Sequence, residues 1–69
     1  MARLDIINTS IAGERRAYGI VTPGAEMGTS GAYFTGFTRS TGKSGRRAVI
    51  NKAMLAAARL GWRITHVEG

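Results

Sequence analysis

The sequence predicts an α+β domain in which one helix packs on one face of a three- to four-stranded, mainly antiparallel sheet. Three observations predict this class: alternating segments rich in β-branched residues at 3–11 and 17–22, a one-sided helical pattern at 45–60, and an alternating segment at 62–68. The element order is strand, strand, strand, helix, strand. A chain of 69 residues is expected to form a single domain, 1–69.

The first two strands are predicted at 3–11 and 17–22. The four residues AGER at 12–15, which include Gly13, suit a hairpin connection between them. The segment PGAEMGTSG at 23–31 begins with a turn signal and holds three glycines, so we expect a flexible loop there.

The third strand is predicted at 32–38, with the sequence AYFTGFT. Regular alternation would place Tyr33 and Phe37 on one face and Phe34 on the other. If the final strand at 62–68 pairs in parallel with this strand, the connection between them should be a right-handed crossover.

The helix is predicted at 45–60, with Ser44 as its N-cap and Gly61 as its left-handed stop. Lys52 and Arg59 fall on the side that should face solvent. The apolar side, which should cover the sheet, consists of Ile50, Ala53, Met54, Ala57 and Leu60.

The charge of the chain is strongly positive and unevenly distributed. The formal net charge is +6, and no acidic residue occurs between Glu26 and Glu68. That interval holds seven of the ten basic residues: Arg39, Lys43, Arg46, Arg47, Lys52, Arg59 and Arg63. A field of one sign attracts polyanions, so the clustering favours an anionic partner. The alternative is that the charge serves solubility alone.

Composition also excludes several classes of protein. The chain has no cysteine, which excludes disulfides and thiolate metal sites. Its longest apolar stretch, AMLAAA at 53–58, is too short to span a bilayer, and no signal peptide is visible. We therefore expect a cytoplasmic protein with no membrane partner.

Residues 36–44 read GFTRSTGKS, which is close to a phosphate-binding loop. The pattern requires glycine at position 37, which is Phe37, and Gly36 lies one residue too far from Lys43. An acid to hold magnesium is also missing from 27–67. A nucleotide site is therefore not expected.

The start of the helix is expected to attract an anion. Arg46 and Arg47 are predicted in the first turn, with Lys43 just outside it, where the helix dipole already places positive potential. A bound anion would offset that conflict. The alternative is that the arginine stems lie along the sheet with solvated heads.

Catalysis, cofactors and metals are not expected. The single histidine, His66, has no acid nearby except Glu68 on the same strand face, and no nucleophile accompanies them.

The few aromatic residues are assigned mainly to the core. Phe34 or Phe37, together with Trp62, should be buried, since aromatics supply much of a small core. Tyr18 and Tyr33 are left as candidate surface residues that could stack on bases.

Two resemblances extend these expectations. The stretch TRSTGKSGRRAVINKAM at 38–54 resembles the sheet-plus-helix arm-binding domain of phage integrases. That resemblance implies a sheet entering the major groove of DNA, with Arg15, Arg16 and Arg39 near the DNA. The integrase module lacks a strand equivalent to WRITHVE at 62–68.

The stretch AMLAAARLGWRITHV at 53–67 resembles small bacteriophage proteins that disable host machinery, among them RNA polymerase inhibitors and anti-CRISPR proteins. This resemblance implies a protein partner in a bacterial host.

The sequence therefore predicts a non-enzymatic, basic protein that binds DNA or RNA through phosphate contacts. The alternative is a phage-type inhibitor that binds a CRISPR effector or RNA polymerase and blocks its nucleic-acid site. An exposed edge strand could also pair with a second copy. The candidate contact residues are Arg39, Lys43, Ser44, Arg46 and Arg47, with Lys52, Arg59, Arg15 and Arg16 as secondary contacts.

Overall fold

The computed structural model describes residues 1–24, 31–39 and 41–69. It confirms the α+β class and the element order. The elements are β1 (Ala2–Ile11), β2 (Glu14–Pro23), β3 (Tyr33–Phe34), α1 (Gly42–Leu60) and β4 (Ile64–Glu68). The four strands form one mixed sheet in the order β3-β2-β1-β4, and α1 packs on one face of it. Most of the loop predicted at 23–31 lies outside the described residues.

The β1–β2 hairpin is tighter than the sequence suggested. Ala12 and Gly13 alone form the turn, and both have positive φ, 51° and 79°, as a type I′ turn requires. The predicted four-residue connection is therefore wrong at its second half. Glu14, Arg15 and Arg16 belong to β2 and pair with the end of β1.

β4 pairs in parallel with β1 and not with the third strand. The backbone N–H of Ala2 donates to the carbonyl of Arg63 (2.7 Å), and a bulge follows where Ala2 pairs with Ile64 and Arg3 with His66. The helix spans 19 residues, about 28 Å at 1.5 Å per residue, so it carries the chain across the sheet to the far side of β1.

The core lies between α1 and one face of the sheet, and it is built from small and medium side chains. Its largest fully buried residues are Leu4, Val21 and Val49. Trp62 packs partly buried against this core, as predicted.

The helix meets the sheet through a stripe of small residues spaced four apart. The stripe consists of Gly45, Val49, Ala53 and Ala57. Met54 and Leu60, which the helical wheel assigned to the core side, are 44% and 49% exposed. The helix lies so close to Ala17 and Gly19 of β2 that only small side chains fit between helix and sheet. The buried face of the helix therefore centres on Val49.

The third strand is irregular, which corrects the aromatic assignments. Only Tyr33–Phe34 is regular strand, followed by one bridge between Thr38 and Ala17. Gly36 has φ of 88°, and the chain between these points does not alternate. Phe34 and Phe37 therefore share one face and lie with ring centroids 5.2 Å apart. Each is 47% exposed, so neither belongs to the core. The prediction that Phe34 or Phe37 is buried is therefore wrong.

Thr35 accounts for this irregularity, because its hydroxyl accepts a hydrogen bond that a strand carbonyl would normally accept. Its Oγ1 accepts a hydrogen bond from the Gly19 N–H (2.9 Å), while its own N–H donates to the Gly19 carbonyl (3.0 Å). The hydroxyl in turn donates to the Gly36 carbonyl (3.0 Å). A buried side chain thus completes the pairing between β2 and the third strand.

Thr35→Val is expected to lower the free energy of unfolding by about 1–3 kcal/mol, because the buried Gly19 N–H loses its acceptor while shape is preserved. Urea denaturation measures this change. Thr22→Val, at an exposed position of β2, is the matched control and should stay within about 0.5 kcal/mol of wild type. Equal stability of the two variants would contradict the role given to the Thr35 hydroxyl.

Candidate nucleic-acid interface

The hairpin and the start of α1 together form an open groove. Its volume is ≈ 660 Å³. The groove is lined by Asn8, Thr9, Ser10, Arg15, Arg16, Thr41 and Gly42. Ser10 pairs with Arg15 and Thr9 with Arg16. Because side chains alternate along a strand, Ser10 and Arg15 lie on the helix side of the sheet, whereas Thr9 and Arg16 lie on its other face. The hairpin thus presents Arg15 beside the first residues of the helix, and Arg16 lines the groove from the other face of the hairpin.

Arg39 lies at the same end of the molecule. The bridge between Ala17 and Thr38 aligns the chain at 38–39 with β2, and a second hollow is lined by Arg39, Arg15, Arg16 and Glu14. Glu14 accepts a hydrogen bond from the Arg16 guanidinium. Within the described part of the chain, Arg15 and Arg39 make no ion pair. We call Arg15, Arg16, Arg39 and the first turn of α1 the basic end.

The helix begins earlier than predicted, which moves its basic residues. Its N-cap is Thr41, in extended conformation (φ −127°, ψ 179°), and not Ser44. The Gly45 N–H donates to the Thr41 carbonyl (3.2 Å), which closes the first turn. Lys43 and Ser44 therefore lie inside that turn, where the sequence placed Arg46 and Arg47.

The electrostatic conflict at the helix start therefore falls on Lys43. The dipole effect fades beyond the first turn, so Arg46 and Arg47, one turn further along, contribute less to it than expected. Among the described residues, no side chain caps the helix start, and the first turn holds no acid. The first backbone N–H groups of a helix have no acceptor within the helix itself.

The other predicted contacts are not brought together. Arg46 donates from Nε to the carbonyl of Gly69 (3.2 Å) and so points toward the end of β4. At 1.5 Å per residue, Lys52 lies about 15 Å and Arg59 about 26 Å along the axis from Gly42. These two secondary contacts lie far from the basic end.

The groove also contains residues that the sequence reasoning missed, namely Asn8, Thr9, Ser10, Thr41 and Gly42. Reading Ala12-Gly13 as a two-residue turn would have revealed the first three. That turn extends both strands and places Arg15 opposite Ser10.

The histidine and its neighbouring acid form an exposed pair. His66 Nε2 and Glu68 Oε2 lie 3.0 Å apart on one face of β4, as their spacing predicted. No cluster of three His, Cys, Asp or Glu side chains that could hold a metal occurs in residues 1–24, 31–39 and 41–69. The one helix in those residues is not long and apolar enough to cross a membrane.

Tyr18 and Tyr33, the two candidate stacking residues, lie on opposite faces of the sheet. The Tyr18 ring lies 5.4 Å from those of both Phe34 and Phe37. Tyr33 lies on the helix side, next to Leu60. They therefore cannot act on the same strand of nucleic acid as neighbouring platforms.

A scan against protein-family models, a search of curated proteins and a search of solved structures each find no match to this chain. The resemblances to integrase arm-binding domains and to phage inhibitors accordingly stay predictions from the sequence.

Proposed function

We propose that this protein binds nucleic acid without catalysing a reaction, through phosphate contacts at the basic end. The observation that carries the proposal is the groove in which Arg15 faces the start of α1 at Thr41 and Gly42, with Arg16 also in its lining. Arg39 adds a third guanidinium beside it.

The chemistry of the groove suits a phosphodiester. Guanidinium groups donate paired hydrogen bonds to phosphate oxygens, and Arg15 and Arg39 are exposed at this end. The N–H groups of the first helical turn and the positive dipole end add to the attraction. Asn8 and Ser10 supply neutral donors for phosphate or sugar oxygens on the same wall of the groove as Arg15.

The helix extends the positive field away from this groove. Lys43 lies in the first turn, and Arg46 and Arg47 follow one turn later, so a polymer longer than one phosphate meets further cations. Lys52 and Arg59 contribute to attraction at longer range and not to the same contact.

The test is a titration of labelled single- and double-stranded DNA and RNA at low and moderate salt. If about four phosphates are contacted on duplex DNA, affinity should fall about 100-fold between 50 mM and 200 mM salt. Binding that does not respond to salt would contradict phosphate contacts as the main source of affinity.

Failure to bind any of the four nucleic acids at low salt would contradict the proposal itself. That result would leave the second hypothesis from the sequence, a phage-type inhibitor whose basic end contacts carboxylates in the nucleic-acid site of a bacterial complex. The four-way titration therefore separates the two hypotheses without knowledge of the partner.

A further inference from the structure

The sheet face opposite the helix carries an exposed apolar cluster. The rings of Tyr18, Phe34 and Phe37 contact one another edge to face, with centroids 5.2–5.4 Å apart. Ile7 pairs with Tyr18, and Ile20 pairs with Phe34, so both isoleucines extend the same surface. We call these five residues the aromatic patch.

The aromatic patch contains larger apolar side chains than the fully buried part of the core. The core's largest fully buried side chains are Leu4, Val21 and Val49, whereas Phe34 and Phe37 are each 47% exposed. Within the described residues, the helix packs on the other face of the sheet. A contiguous apolar patch on a small domain marks an interaction surface, and small domains commonly gain stability by association.

The charges around the aromatic patch are of both signs and nearly cancel. Arg3 pairs with Asp5 (3.0 Å) and His66 with Glu68 (3.0 Å) on this face. Arg16 pairs with Glu14 on the same face, next to the hairpin turn. The helix layer on the opposite side instead carries five exposed cations and no acid: Lys43, Arg46, Arg47, Lys52 and Arg59.

This charge pattern selects the occupant. Two copies with a net charge of +6 repel each other, and the helix layers would repel most strongly. The open face is where opposite charges can meet across a two-fold axis, around an apolar centre. Nucleic acid is disfavoured there, because three carboxylates face outward and the mutually edge-on rings provide no row of parallel faces for stacked bases.

We infer that the open face of the sheet is the contact surface of a homodimer, in which the aromatic patches of two copies pack on each other. The helix layers and basic ends then face outward on opposite sides. The dimer does not depend on the proposed nucleic-acid binding, and either can fail without the other.

The first experiment measures mass by sedimentation equilibrium from micromolar to near-millimolar concentration. Wild type should approach twice its 7.3 kDa mass. Phe34→Ser with Phe37→Ser should raise the dissociation constant more than about tenfold, as truncation of central aromatic residues does. Leu55→Ser, at a 64% exposed helix position, is the matched control and should leave it unchanged.

Salt separates the dimer from nucleic-acid binding. Screening of the repulsion between two positively charged copies should strengthen the dimer, whereas it weakens phosphate contacts. A protein that stays monomeric over the whole concentration range overturns the inference. A wild type that is monomeric, together with weaker nucleic-acid binding by the Phe34→Ser, Phe37→Ser variant, would instead assign the aromatic patch to bases and also overturn it.

A second measurement covers the case in which the double variant does not fold. Because the chain has no cysteine, Ile7→Cys and Leu55→Cys each introduce a single reactive thiol. A short bis-maleimide should link two Ile7→Cys copies at the aromatic patch and leave Leu55→Cys unlinked. The reverse result would place any dimer contact elsewhere and contradict the inference.

Discussion

Replacing Arg15, Arg39 and Lys43 together with Gln is expected to weaken nucleic-acid binding by about 10²- to 10³-fold at 0.1 M salt. Each phosphate contact adds about 0.7–0.9 log unit to the binding constant for every tenfold decrease in salt concentration. At 0.1 M salt, one decade below 1 M, the loss of three contacts therefore costs about two to three log units. The slope of affinity against salt should flatten by about two to three units. Fluorescence anisotropy of a labelled oligonucleotide measures both quantities.

The fold should survive this triple substitution. All three side chains are exposed, and none makes an ion pair in the described part of the chain. Arg16 is left in place because its removal would free the Glu14 carboxylate beside the groove. An unchanged circular dichroism spectrum and melting temperature would show that any loss of affinity comes from the contacts.

The matched control is Lys52→Gln, Arg59→Gln and Arg63→Gln. It lowers the net charge from +6 by the same three units but acts away from the basic end. Its effect should be limited to a general decrease in attraction, about tenfold or less at 0.1 M salt. Equal losses in the two triple variants would contradict a localised site and indicate diffuse attraction to the whole helix layer.

The end of the helix was predictable from sequence, whereas its start was not. Gly61 adopts the left-handed conformation (φ 75°) that only glycine reaches easily, so a single residue sets the stop. At the start, Thr41 and Ser44 are both N-cap residues, and local signals do not separate them. The choice moved Lys43 into the first turn and Arg46 out of it.

The aromatic patch could not be predicted from alternation, because a contact distant in sequence creates it. Thr35 binds the backbone of Gly19, sixteen residues away, through its side chain. That bond interrupts the two-residue period and turns Phe37 to the same face as Phe34. The sequence pattern of apolar and polar residues carries no trace of such a bond.

The basic end was partly predictable. Clustering of charge identified Arg39 and Lys43 from sequence alone, and Arg15 and Arg16 were named as secondary contacts. The position of Arg15 and Arg16 at the groove depends on a type I′ turn that uses Ala12, a residue that seldom adopts φ of 51°. The groove therefore depends on a turn that the sequence predicts only weakly, because alanine is unusual at the first central position of a type I′ turn.

Gly19→Val is expected to remove more than about 3 kcal/mol of stability, which is most of what a domain below 70 residues usually has. A methyl group at Gly19 would lie 2.5 Å from Cγ1 of Val49 and 2.9 Å from Cδ1 of Leu4. Both atoms belong to fully buried core residues, so neither can move into solvent. Thermal denaturation should show a protein that is largely unfolded near 37 °C.

The smaller change Gly19→Ala allows a quantitative test of the same contact. Alone it should cost about 1–3 kcal/mol by overpacking, and Val49→Ala alone should cost a similar amount by leaving a cavity. Together they should cost at least about 1 kcal/mol less than the sum, because the alanine methyl fills the space that Val49 vacates. Additive losses would contradict a direct packing contact between position 19 and Val49 of the helix.

Nucleic-acid affinity should follow the same cycle. The start of α1, at Thr41 and Gly42, forms one side of the groove, and β2 carries Arg15 on the other. Gly19 and Val49 join the same two elements, so we expect a change in their spacing to alter the width of the groove. We expect weaker binding in folded Gly19→Ala and recovery toward wild type when Val49→Ala is added. Recovery of stability without recovery of affinity would show that the groove is not the binding surface.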